Sequence, residues 1–84
     1  MNLIHPDIFM SKKLPKRVEE IIKKAQISEI TEHYIYKSLA KKVKHKKNKK
    51  ILVHISKDEL RHYNFWKKIT KKDYSPKRFT IIKH

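Results

Sequence analysis

Apolar residues recur every three or four positions along two long stretches of the chain. In the first, Val18, Ile22, Ala25, Glu29, Glu32, Tyr36, Leu39 and Val43 alternate in steps of four and three. In the second, Leu52, Ile55, Glu59, His62, Trp66 and Ile69 keep the same rhythm. Such spacing returns each residue to one face of a helix. Pro15 suits a helical first turn, where its missing N–H costs nothing, and Glu19 and Glu20 suit the positive end of the helix dipole. A first helix is therefore predicted from Pro15 to about Lys44. Between Lys41 and Lys50 seven of ten residues are lysine. A block of like charge must be solvated, which predicts a turn there with Asn48 as N-cap. A second helix should run from about Lys49 to Ile69 or Thr70, ended by Asp73, Ser75 and Pro76. The pattern gives an all-α antiparallel helical hairpin over residues 15–70, between a leader (1–14) and a basic tail (71–84).

Both seams are interrupted halfway by polar residues, Glu29 and Glu32 on the first helix and Glu59 and His62 on the second. With the turn centred near residues 45–47 the two layers come level within about one helical turn. An ionised carboxylate in an apolar environment costs several kcal/mol unless it is paired or binds a cation. A shared divalent cation is the simplest resolution, and a rotated seam that leaves the carboxylates at solvated helix edges is the alternative. Apolar residues also spread beyond one seam, at Ile21, Ile27, Ile30, Tyr34 and Ile35, and at Ile51, Leu60, Tyr63 and Phe65. Two helices cannot cover so wide a stripe, so a second hairpin is expected to complete a four-helix bundle.

Composition narrows the chemistry. Eighty-four residues make one domain at most, and there is no cysteine. That excludes disulfides, a thiolate metal site and a thiol nucleophile, leaving a metal held by oxygen and nitrogen or oligomerisation as the source of extra stability. Glycine is absent and the only prolines are Pro6, Pro15 and Pro76, so nothing breaks the chain between Lys16 and Ser75. The net charge of +15 raises nucleic acid as a partner. The lysines are spread along both helices, however, and the aromatics sit at helical spacing, as core or interface residues do. His5, His33, His45, His54 and His84 lack a ligand pattern and read as surface residues. No run is long and apolar enough to span a bilayer, so the chain reads as cytoplasmic with no membrane partner.

Ferritin-like dimetal bundles draw a Glu from each of two helices and a Glu-x-x-His from each of the other two. This hairpin carries one of each. The segment from Gln26 to Trp66, with Glu29-Ile30-Thr31-Glu32, Tyr36-Lys37-Ser38-Leu39-Ala40 and Asp58-Glu59-Leu60-Arg61-His62, resembles the first helical hairpin of the rubrerythrin branch of the ferritin-like superfamily. The resemblance implies metal ligation by Glu29, Glu59 and His62, with Glu32 one turn away as a second candidate bridging carboxylate. It implies a di-iron centre, in a site type that also accepts manganese or zinc, reacting with peroxide or dioxygen or oxidising ferrous iron. Rubrerythrins usually carry a second hairpin and a cysteine-bearing electron-transfer module. A single hairpin instead is similar to the two-helix encapsulated ferritins, whose site assembles between subunits. The expected partners are accordingly a second copy, as a homodimer or higher homo-oligomer, and an external electron donor. Two other readings stand beside this one: a non-enzymatic basic module that binds nucleic acid or an acidic protein, and the inactive N-terminal half of a longer ferritin-like protein.

Overall fold

The computed structural model describes residues 14–77. Two antiparallel helices, α1 (Lys16–Lys42) and α2 (Lys46–Thr70), pack along their length, and no strand occurs among the described residues. The fold is the all-α hairpin that the periodicity predicts. Leader residues 1–13, and the tail residues 78–84, lie outside the described residues.

Helix α1 starts at Pro15, whose carbonyl accepts the Glu19 N–H at 3.0 Å, and Glu19 lies in the first turn, where its charge complements the dipole. It stops at Val43, which is extended and donates its N–H to Leu39 at 3.0 Å. Only Val43, Lys44 and His45 separate the helices. Asn48 is therefore not the N-cap: His45 takes that place without a side-chain bond, and α2 begins three residues earlier than the lysine block suggested. The lysines need solvent rather than a loop, and on a helix they have it, since every residue from Lys44 to Ile51 is exposed. At the other end Lys71 closes α2 in the left-handed conformation (φ 58°, ψ 23°), with its N–H on the Lys67 carbonyl at 2.7 Å. Glycine is the residue that usually stands here, and this chain has none.

The line of contact between the helices is rotated from the seams read off the sequence. It holds Ile22, Gln26, Ile30, His33 and Ala40 on α1 and Ser56 and Tyr63 on α2, all buried. Much of it is polar, and the polar groups find partners. His33 Nδ1 lies 2.8 Å from the Ser56 carbonyl. Because a carbonyl only accepts, the Nδ1 position carries the proton. Ser56 Oγ adds contacts to His33 Nδ1 at 2.9 Å and to the His33 carbonyl at 3.0 Å. His33, read from the sequence as a surface residue, is thus a clamp between the helices. Gln26 is completely buried, accepting from Thr70 Oγ1 at 2.8 Å and donating to the Lys72 carbonyl at 2.9 Å.

Residues 71–77 return as a strap along α1. Its contacts run from the Lys72–Glu19 ion pair (3.8 Å), through the Lys72 carbonyl on Gln26, to the Lys77 N–H on Thr31 Oγ1 (2.9 Å). The buried Tyr63 hydroxyl donates to Asp73 and accepts the Tyr74 N–H at 2.8 Å. A hydrogen bond from Tyr63 holds the Asp73 carboxyl below its ordinary range, while burial and the bond to Asp73 push the Tyr63 phenol above its own.

Candidate metal centre

Most of the expected seam residues form a half-buried flank beside the helix contact, while Ile22 and Ile69 are buried. Ala25, Glu29, Glu32 and Tyr36 on α1, and Leu52, Ile55, Glu59 and Trp66 on α2, are all of intermediate exposure. The short turn fixes the level of the two helices, because Glu29 and Glu59 are equidistant from Lys44 in the chain. Their side chains meet, and the i, i+3 step from Glu59 brings His62 to the same place.

One ligand atom each from Glu29, Glu59 and His62 lies within 4.8 Å of the others. Donors bound to a single cation at about 2.1 Å lie at most about 4.2 Å apart, so a small inward movement of these side chains would let them hold one. His62 Nδ1 lies 3.7 Å from Glu59 Oε1, with the Glu59 side chain 20% exposed and the His62 side chain 60% exposed. The cluster therefore opens outward on its imidazole side. Arg61 and His54 do not compete for Glu59, as both pair with Asp58.

Glu29 lies deepest. Its Oε1 is buried without a hydrogen-bond partner among the described residues. Burial raises its pKa above the ordinary 4.5, and the neighbouring Glu59 and Glu32 carboxylates push the same way. His62 and a hydrogen bond from Trp66 act against them. A buried oxygen with an unused lone pair, beside a second carboxylate and an imidazole, is a donor set that fits a divalent cation. Glu32 stands outside the cluster of three. It accepts the Ser28 hydroxyl at 2.8 Å, yet it is near enough to act on the Glu29 charge. The Trp66 indole lies close enough to favour the ionised form of Glu29. The sequence places Trp66 on the seam but gives it no role beside Glu29; the indole N–H one turn beyond His62 was the available signal.

The rubrerythrin family model matches residues 20–83, which include both helices from Glu20 onward and every member of the cluster. Comparison with curated proteins and with solved structures found no match. A match over most of the chain settles the relationship: this chain belongs to the rubrerythrin family.

Proposed function

We propose that the protein binds iron in a dimetal carboxylate site built between two hairpins, each contributing Glu29, Glu59 and His62. The observation that carries this reading is the buried, unpartnered Oε1 of Glu29 inside the three-residue cluster. Among the described residues the desolvated Glu29 charge is offset by a partly exposed imidazole, His62, and by the Trp66 indole. A cation would offset it directly, and Glu59 and His62 are placed to complete the coordination. The neighbouring Trp66 indole favours the ionised, metal-binding form of Glu29. Glu32, one turn away, is positioned to join as a further carboxylate.

A second copy is the proposed lid. The flank bearing the cluster also carries two of the most exposed large apolar side chains, Ile21 (59%) and Ile51 (50%). Each precedes a polar residue of that flank, Glu32 and His62 respectively, by about three helical turns, and so lies on the same side of its helix. Two hairpins joined by a two-fold axis would bury these residues and bring two Glu and two Glu-x-x-His sets together. Iron bound there supplies one-electron redox chemistry toward peroxide or dioxygen, or is itself oxidised as substrate. The residues bind it, keep bulk water from Glu29 and leave the His62 side open to small molecules. Electrons for repeated turnover come from an external donor.

The test is metal content by plasma mass spectrometry across the oligomer peak of a light-scattering size-exclusion run. About two irons per dimer are expected from the two-metal composition of such sites, with Glu59→Ala losing them. A metal-free monomer that takes up no added ferrous iron would overturn the proposal.

A further inference from the structure

A cavity of about 480 Å³ opens on the other flank of the hairpin, between the turn and the His33–Ser56 clamp. That volume lies in the range of small-molecule sites. Relative to the helix contact, Lys37 and Lys41 on α1 and Val53 and Leu60 on α2 fall on the side opposite Glu32 and His62. A second hairpin covering the metal flank would leave this cavity open.

The chemistry of the lining is two-part. Ala40, Val53 and Leu60 supply an apolar floor, with Val53 38% exposed. Four lysines, Lys37 and Lys41 from α1 and Lys49 and Lys57 from α2, ring that floor, and among the described residues no acidic one lines it. Asp58, adjacent to Lys57 in sequence, is engaged by Arg61 and His54, and Glu32 and Glu59 lie on the opposite flank. Lysine stems cover apolar surface while their ammonium groups stay in water. The ring therefore offers apolar walls below and positive charge above. His33 and Ser56, which line the cavity from within the helix contact, bond across it and hold the two walls at a fixed separation.

We infer that this cavity binds a free single-chain anionic amphiphile, its hydrocarbon against Ala40, Val53 and Leu60 and its acidic head among the four lysines. Charge complementarity selects the head, since a cationic or zwitterionic amphiphile would meet a ring of like charge. The concave floor selects the chain: a phosphodiester backbone carries no hydrocarbon to fill it, and among the described lining residues the one aromatic ring, His33, is buried in the helix contact and offers no face to a base. The inference is independent of the metal site, which shares no residue with it.

The experiment is a titration of the full-length protein with decanoate, below its micellar range, followed by methyl NMR. A single saturable site is expected, with shifts at Ala40, Val53 and Leu60. Acetate, which lacks the chain, and decanol, which lacks the charge, should each bind at least about tenfold more weakly. The variant Lys41→Gln/Lys49→Gln should weaken decanoate by roughly threefold to tenfold and leave decanol unchanged. Lys24→Gln/Lys68→Gln, an equal loss of charge at exposed positions elsewhere, should leave both unchanged. Several outcomes would overturn the inference: no saturable shift, acetate or decanol equal to decanoate, shifts confined to the Trp66 flank, or equal effects of the two double variants. Binding to vesicles of an anionic phospholipid without binding of free decanoate would also overturn it, assigning the lysines to a membrane surface.

Discussion

Two polar regions of this small molecule behave in opposite ways. At the base of the hairpin, Gln26, Thr70, Tyr63 and the strap form a buried network in which both ends of the Gln26 amide and the Tyr63 hydroxyl have partners within the chain. About one helical turn further along α1, Glu29 is partly buried with one oxygen unpaired. A buried polar group that closes its hydrogen bonds fixes register and stabilises the fold, whereas one left open costs stability until something outside the chain arrives. The base therefore closes on itself, whereas the carboxylate layer keeps an open position that the proposed cation would fill.

The strongest way to break that contrast is at Gln26. Replacing it with Leu keeps the volume but strands the Thr70 hydroxyl and the Lys72 carbonyl, and is expected to cost about 2–3 kcal/mol. For a domain of this size that is a large share of the total, and the urea midpoint should fall accordingly. An unchanged midpoint would mean that the network contributes nothing to holding the strap.

Tyr63→Phe isolates the strap with a smaller loss, about 1–2 kcal/mol, because the ring stays buried and only the hydroxyl bonds disappear. Its pH signature is the sharper readout. Asp73 has a lowered carboxyl pKa, so its contribution is present above pH 3.8 and lost as pH falls through the lower folded value. Tyr63 has a raised phenol pKa, so its contribution is present below pH 10.0 and lost as pH rises through the higher folded value. Denaturation monitored across pH should show the strap loosening at both extremes in the parent. Tyr63→Phe should flatten both limbs.

At the carboxylate layer the sign reverses. The Glu29 pKa is raised, so the folded chain holds that proton more tightly than the unfolded chain does. In the metal-free protein this group's contribution to stability therefore declines as pH rises above 4.5 and through the folded value. Glu29→Gln removes the charge and should stabilise the metal-free protein at neutral pH by about 1 kcal/mol, while abolishing metal uptake. A destabilised Glu29→Gln in the chelated protein would place Glu29 with Gln26 as a structural residue and erase the distinction between the two regions.

The same contrast explains what the sequence revealed. The hairpin was legible because three-and-four periodicity on both sides of a lysine block leaves few alternatives. The meeting of Glu29 with Glu59 and His62 was legible because a short turn sets the level of both helices. What periodicity hid was the line of contact itself. Gln26, His33 and Ser56 look like surface residues in a list of side-chain types, and become buried only because each finds a partner on another segment. The strap was equally hidden, since bonds from an irregular segment to Gln26 and Thr31 leave no repeat. Asn48 misled for the converse reason: it is a favourable cap by type, but lysines that need only solvent let α2 start earlier, at Lys46, with His45 as its N-cap.

The smallest effect tests the joint between α2 and the strap. Lys71 holds a left-handed conformation that a side chain with a Cβ disfavours by about 1 kcal/mol, and the strap's path to Gln26 begins there. Lys71→Gly relieves that strain in the folded state but enlarges the freedom of the unfolded chain, so the net gain should be about 0.5 kcal/mol. A rise of a few degrees in thermal midpoint, with metal uptake unaltered, is the expected result. Were Lys71→Gly instead destabilising, the left-handed turn would owe its geometry to the strap's bonds on Gln26 and Tyr63 rather than to the end of α2, and the base network would extend one residue further along the chain.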